Sequence, residues 1–403
     1  MNDMEEAGRK SFDVVIVGGA MHGSALAWWL TQTPGFDGSV AVIERDPGYT
    51  YASTSHTNSC IRQQFSNLTN IRISQFGAEF IRNFRRYMGG DPEVPELRLQ
   101  SFGYLYLADT PEFAETLKRV QAIQMGAGAQ TRHMLRDEIA ADYPFYQLDD
   151  ILAGNHNTTD EGYFDGGTMF DWFKRMARRN GVTYLTDEAV GMTLDPGGRL
   201  VTQVTLASGS VLDCGTVVNA SGPRAVATAR MAGLELPVRP RKRYTFVFDA
   251  AHPLDRDLPL TIDPSGVHVR SDGKYYMAGC TPDEDPDVAF DDFGFDHSLW
   301  EEKVWPIVAT RIPAFEQVRV INEWVGHYAY NTFDQNAVIG RHTRVSNFIF
   351  VNGFSGHGLQ QAPAVGRGVA ELIAYGEYRS LDLSDFGYER LETRRHFGET
   401  AII

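Results

Sequence analysis

Two glycine-rich turns in this sequence have the residue types that hold phosphates and carbonyl-rich rings. The first is Gly18-Gly19-Ala20-Met21-His22-Gly23. Gly18 permits a tight turn, and the third position lets backbone approach a pyrophosphate. Gly23 lets a helix pack close to the preceding strand. The N–H groups and positive dipole end of that helix then face the phosphates. Ala20 stands where a second glycine is usual, so a methyl group must fit there. Glu44 follows Gly23 by 21 residues (44 − 23), the spacing at which an acid accepts hydrogen bonds from adenosine ribose hydroxyls. An acid there disfavours a 2′-phosphate and points to FAD or NAD rather than NADP; Arg45 beside it weakens that discrimination. The polar loop that follows offers the hydroxyls of Ser53, Thr54 and Ser55 to phosphate. The second turn is Gly353-Phe354-Ser355-Gly356-His357-Gly358, whose amides and following helix suit the other end of a dinucleotide.

These residues need strands and helices to hold them. Phe12 to Val17 is a short apolar run rich in β-branched residues, as expected of a strand buried on both faces of a parallel sheet. Ser24 to Leu30 is helix-compatible, and Val40 to Ile43 reads as the second strand of a βαβ unit. Helices are expected over 70–88, 111–126, 135–143, 169–180, 298–310 and 361–375. Strands are expected over 103–107, 182–185, 188–194, 200–206, 216–219, 244–248 and 347–351, with a hairpin of 266–270 and 274–279 around Asp272-Gly273. The strand over 188–194 supplies backbone that can hold an adenine, with Val190 as the candidate. The strand ending at Asn219 opens into the small-residue turn Ala220-Ser221-Gly222. The basic run Arg239 to Arg243 and the acidic stretch Asp283 to Asp296, which has seven acids and no Lys or Arg, both read as solvated. The acid spacing fits no EF-hand, and no metal site is expected.

At 403 residues and 43% hydrophobic content the chain can build two lobes with substantial cores. A net charge of −15 argues against nucleic acid and anionic membrane surfaces as partners. Cys60, Cys214 and Cys280 are few and far apart, without zinc or redox spacing, which suits a reducing compartment. The acidic start has no apolar run before the first strand and reads as neither a secretory nor a transit peptide, so a cytoplasmic location is expected. No stretch is long and apolar enough to span a bilayer.

The sequence resembles the D-amino-acid-oxidase-like FAD oxidoreductases, the superfamily of sarcosine oxidase, glycine oxidase and dimethylglycine dehydrogenase. Four stretches carry the resemblance: 18–23 with Glu44; 52–55 through Arg62-Gln63-Gln64; Val217 to Gly222; and 353–358 with 362–366. The stretch 61–66 is most similar to a branch of iminodiacetate- and sarcosine-type oxidases and related assembly-factor flavoproteins. The resemblance implies an α/β fold: a Rossmann-like FAD-binding domain (1–95, 145–238, 331–403) with an inserted antiparallel-sheet, α+β substrate domain (96–144, 239–330). It implies FAD contacts from the residues of both glycine turns, Leu359 included, and from Glu44, Arg45, Ser53 to Ser55, Val190 and Ala220 to Gly222. It also implies hydride transfer from the carbon beside an amine nitrogen to flavin N5, with oxygen or another acceptor taking the electrons.

Where family members of the monomeric sarcosine oxidase type link flavin to a cysteine, His327 falls here before Asn331-Thr-Phe-Asp334, so FAD is expected to be non-covalent. The family's oxygen-activating lysine has no clear counterpart; Lys274 is a weak candidate. An amino-acid substrate needs a guanidinium fork for its carboxylate, and Arg62 and Arg270 resemble family sites at the flavin face. His268 and His357 are candidates near the chemistry, and Tyr244, Tyr276, Tyr328 and Tyr330 to line a pocket. A flavin-holding scaffold without turnover and an NAD-dependent dehydrogenase are the alternative readings.

Overall fold

The computed structural model describes residues 11–399. Ser11–Val17 sits at the centre of an eight-stranded sheet. It pairs in parallel with Val40–Glu44 on one side and Val211–Asn219 on the other. Thr183–Thr186 and Phe348–Asn352 extend the parallel set outward, and Val338–Arg341 closes one edge antiparallel. Val201–Leu206 and Ala189–Leu194 add an antiparallel flap on Val211–Asn219.

The central strand's apolar run has a physical cause. Val14 and Ile16 face a core shared with the helices Met21–Gln32, Gly166–Arg179 and Gly358–Tyr375. Phe12, Val15 and Val17 face a second core with Ala225–Met231. Both faces are dry, so nearly every position is apolar.

A second eight-stranded sheet runs in the order Val318–Asn331, Val238–Ala250, Tyr275–Cys280, His268–Asp272, Leu260–Ile262, Tyr104–Ala108, Ala153–Asn157, Arg132–Leu135. It is antiparallel except where Leu260–Ile262 meets Tyr104–Ala108. Its two longest strands pair from Val238 opposite Asn331 to Ala250 opposite Val318. No helix among the described residues is long and apolar enough to cross a membrane.

Several elements differ from expectation. The helix expected over 70–88 runs Leu68–Arg82 and restarts as Phe84–Tyr87 after Asn83. The helix over 298–310 opens as a π-turn, Trp300–Val304, before Trp305–Arg311. Arg239 to Arg243 lies inside a strand rather than before one. Ala153–Asn157, in a segment expected to belong to the FAD lobe, pairs instead with Tyr104–Ala108 in the second sheet. Its Ala-Gly-Asn-His-Asn sequence carries no β-branched or aromatic signal; its polar side chains are buried through hydrogen bonds such as Asn155 Nδ2 to the Leu117 carbonyl (2.8 Å).

Candidate active site

A cavity of about 660 Å³ opens between the two sheets, and both glycine turns reach its wall. At the first turn, a Cβ on Gly23 would collide with the Gly18 carbonyl, so the helix can lie this close to the strand only with glycine there. Gly19 N–H donates to Glu44 Oε2 and Asp46 N–H to Glu44 Oε1, each at 2.8 Å. These bonds fix the Glu44 carboxylate at the cavity wall; burial raises its pKa and the two N–H donors oppose that rise. The helix Met21–Gln32 has no side-chain cap and no acid in its first turn. The Met21 N–H donates to Thr54 Oγ1 at 3.3 Å. Gly358–Tyr375 likewise starts uncapped, at His357. Two uncapped helix starts therefore reach one cavity, an arrangement suited to an anionic, dipole-rich ligand.

His22 is half-buried between them, stacked on Phe354 at 3.8 Å, with both ring nitrogens out of solvent and the ring against the Gly358 backbone. Burial pushes its pKa down to about 3, so the ring is neutral. Ala20, Met21, Arg45, Ser53, Ala220, Ser221, Gly222, Ser355, Gly356 and Leu359 also line the wall. At Gly356 the backbone has φ +96° and a Cβ would enter the Tyr328 ring. Gly353 sits just outside the wall, against Val238 and Asn331.

The opposite wall comes from the second sheet: Tyr104, Thr245, Leu260 and His268. Arg62 stands at the seam and is 1% exposed. Its Nη2 donates to His357 Nε2 at 2.9 Å, its Nη1 to the Gln64 carbonyl, and it lies over the Phe65 ring at 4.1 Å. His357 is thereby an acceptor, and burial followed by the Arg62 charge holds its pKa well below the usual histidine range. His268 Nε2 accepts from Asn58 Nδ2 at 3.0 Å, an orientation set by Thr245 Oγ1 donating to Asn58 Oδ1 at 3.4 Å. Burial, reinforced by Arg270 and Arg243, pushes its pKa down to about 4. Its Nδ1 is left as a neutral donor without a partner among the described residues.

Other expected residues fall elsewhere. Arg270 is buried behind Asn58 rather than on the wall. Its guanidinium donates to the Asn58 carbonyl, the Ser271 carbonyl and Asp272. Tyr276 points to the other face of its strand, as the two-residue period requires; its ring packs on Phe248 and Phe315 and its hydroxyl accepts from Leu254 N–H. Val190 is 52% exposed, and Asp187, Glu188 and Ala189 line the cavity in its place. Ser55 donates to the Tyr49 carbonyl within its own turn, and Ser53 to the His327 carbonyl. Among the tyrosines, Tyr244 and Tyr328 reach the wall and Tyr330 does not. Lys274 lies on the hairpin against Tyr275, and no lysine lines the cavity among the described residues.

The two charge runs expected to be solvated find each other. Arg241 and Arg243 both bind Asp285, Arg239 and Arg241 reach Asp287, and Lys242 Nζ lies 2.7 Å from Asp292. These pairs strap the acidic loop across the cavity mouth, where Phe290, Asp291 and Phe293 join the wall and Phe293 stacks on His327 at 4.2 Å. Separation of more than 40 residues hid this pairing from sequence reasoning. So was Asn58, an unremarkable loop residue whose only signal was its place between Ser55 and Arg62.

Residues 13–372 match the family described as FAD dependent oxidoreductase. The chain belongs to that family. The FAD-dependent oxidoreductase is 37% identical over 424 residues to FAD-dependent oxidoreductase domain-containing protein 1 of Xenopus laevis, across 97% of this chain and 85% of the relative. It is 25% identical to sarcosine oxidase subunit beta of an Arthrobacter species, across 96% of this chain and 92% of that protein. The solved L-proline dehydrogenase of P. horikoshii superposes with a TM-score of 0.83 at 25% identity, covering 96% of this chain and all of that one. The match includes both glycine turns and sets the nicotinamide-dependent reading aside. The residues present fit FAD: an oriented acid and two uncapped helix starts share one cavity.

Proposed function

We propose that this FAD-dependent oxidoreductase oxidises the C–N bond of a small amino acid with a secondary or primary nitrogen, and that it holds FAD without a covalent link. The observation that carries the reading is Arg62: a buried guanidinium at the seam between the second glycine turn and the substrate-side sheet. A desolvated guanidinium there suits a substrate carboxylate. The named activities of two relatives concern sarcosine and proline, both amino acids with a secondary nitrogen.

In this reading Glu44 receives the adenosine ribose, the start of Met21–Gln32 with Thr54 receives the pyrophosphate, and the turn around Gly356 faces the ring system. Bound FAD supplies the hydride acceptor. Arg62 fixes the carboxylate, which aims the substrate's α-carbon. His268 offers a neutral N–H to the substrate, and Tyr104 and Leu260 exclude water from the reacting carbon. The carbon loses hydride, the nitrogen lone pair forms C=N, and water hydrolyses the imine to a carbonyl compound and a free amine.

The test is a turnover screen of the purified holoprotein against N-methyl and N-carboxymethyl amino acids, proline and glycine, read by dye reduction and by peroxide. The reading expects dye reduction with at least one of them, and dye reduction faster than peroxide formation because no lysine among the described residues lines the cavity. No turnover with any carboxylate-bearing amine would overturn it. Acid precipitation is expected to release FAD into the supernatant; flavin remaining in the pellet would refute the non-covalent assignment.

A further inference from the structure

Arg62-Gln63-Gln64-Phe65 runs without regular secondary structure between a two-residue strand and a helix. Its peptide groups have no ladder to satisfy them, yet it carries the guanidinium on which the proposed chemistry depends. Gln360 Oε1 accepts from the Arg62 N–H at 3.0 Å, and the two residues after Arg62 are held by a buried acid from a distant turn. Glu161 is fully buried and lies outside the cavity wall. Its Oε1 accepts from Gln63 N–H at 2.7 Å and from Asn157 Nδ2 at 2.9 Å, and its Oε2 accepts from Gln64 Nε2 at 2.9 Å. Glu161 is itself clamped, because its carbonyl accepts from Gly103 N–H at 3.0 Å. The Gln64 carbonyl, in turn, accepts from Arg62 Nη1. The chain of contacts runs from Asn157 in the second sheet, through Glu161 and Gln64, to Arg62 and on to His357 at the second glycine turn.

We propose that Glu161 is the positioning residue for Arg62: it fixes the Gln63-Gln64 backbone so that the guanidinium stands at the cavity wall. This rests on the reading of Arg62 given above. A buried carboxylate is an expensive filler for a gap that an apolar side chain could occupy, since desolvation opposes its charge. Here that burial raises the Glu161 pKa to about 7 in spite of its three N–H donors and the nearby Arg62 charge. Its value to the fold lies in accepting three N–H donors at once, two of them from the residues directly after Arg62.

Glu161→Gln separates this role from packing. The amide oxygen can still accept from Gln63 and Asn157, but its NH2 group would oppose Gln64 Nε2, setting donor against donor. Gln64 Nε2 is then left with the Tyr104 carbonyl at 3.2 Å as its acceptor, and the hold on the carbonyl that orients Arg62 loosens. Gln64→Met cuts the same link from the other side with little change in length. The readout is the perturbation of bound-flavin absorbance by benzoate, a redox-inert carboxylate, and by benzamide, its neutral counterpart, together with the flavin-to-protein ratio.

Glu161→Gln and Gln64→Met should each weaken benzoate on the order of tenfold, as expected for displacing one charge-assisted contact, with benzamide affinity and FAD content unchanged. Arg62→Ala should weaken benzoate roughly a hundredfold. If the first two variants bind benzoate like the parent while Arg62→Ala does not, Glu161 has no positioning role and the reading of Arg62 stands. If Arg62→Ala binds like the parent, the proposed function falls and this inference with it. Equal loss of benzoate and benzamide, or loss of flavin, would make Glu161 a packing residue and overturn the proposal. Should Glu161→Gln fail to fold, Gln64→Met decides alone.

Discussion

Replacing Gly23 by alanine tests the cofactor end with a perturbation of known size. The added Cβ would overlap the Gly18 carbonyl oxygen and lie 3.0 Å from its carbon and 3.3 Å from Ile16 Cγ2. The obstacle is backbone and cannot swing aside. Carbon–oxygen contacts need about 3.3 Å, so the start of Met21–Gln32 must retreat by roughly 1 Å or more. Retreat is resisted, because the helix packs through Trp29 and Ala25 on Gly366, where even a Cβ would come within 2.9 Å of the Trp29 ring. Overpacking of this kind costs about 1–3 kcal/mol. Withdrawal of the helix N–H groups by about 1 Å should weaken FAD roughly a hundredfold. Gly19→Ala makes a graded control: its nearest atoms are side-chain carbons of Val42 and Glu44 at 3.0 and 3.1 Å, which can yield. Ala20→Gly should change FAD affinity little, because Ala20 is extended at φ −70° and its methyl is accommodated. The assay is titration of apoprotein with FAD, alongside thermal melting. Parent-like FAD affinity in Gly23→Ala, or greater damage from Gly19→Ala, would refute this account of the turn.

Two further outcomes follow from the geometry. Arg270→Ala should lower stability by about 1–3 kcal/mol, through loss of buried hydrogen bonds to the Asn58 and Ser271 carbonyls, and raise KM far less than Arg62→Ala does; a KM effect equal to that of Arg62→Ala would return Arg270 to the substrate site. Acid should destabilise the fold between pH 7 and 5. His22, His156 and His268 have folded pKa values of about 3, about 4 and about 4, below the unfolded 6.5, so the unfolded chain binds more protons in that window and each neutral ring's contribution is lost as pH falls. Each loss amounts to about 2 kcal/mol at pH 5, while Glu161, whose folded pKa is raised to about 7, takes up its proton in the native state as pH falls from 7 to 5 and returns about 2 kcal/mol on the same acidification. For these four groups together the loss is on the order of 4 kcal/mol, and the lowered His327, His342 and His357 act in the same direction; a lower urea midpoint at pH 5 than at pH 7 is expected, and an unchanged midpoint would contradict it.

The parallel half of the fold was legible because its strands are buried on both faces and its turns need glycine. Ser11–Val17, the Gly18 to Gly23 turn and Glu44 write their packing directly into residue type. Much of the substrate-side sheet was not. Val318–Asn331 is exposed or half-buried along most of its length, so its residues alternate too weakly to announce a strand. Ala153–Asn157 is held by buried side-chain amides rather than by β-branched residues. At the site, Arg62 could be named from its neighbourhood in sequence, and its place at the wall agrees. Arg270 and Tyr276 could not be separated from it, because which side of Asn58 a guanidinium takes, and which face of a strand a tyrosine takes, depends on register. The strap of Asp285 and Asp292 on the basic strand was invisible for a related reason: each run alone looks like a solvated surface, and only the fold makes them partners.

The most direct test of the central claim is anaerobic mixing of the holoprotein with matched pairs of amines. Sarcosine, proline and iminodiacetate would each be compared with the corresponding carboxamide, following flavin absorbance. The account predicts that at least one carboxylate bleaches the flavin, that its amide does so at least tenfold more slowly, and that Arg62→Ala narrows the difference between them. Equal bleaching by acid and amide, or bleaching by the acid that Arg62→Ala leaves untouched, would contradict it.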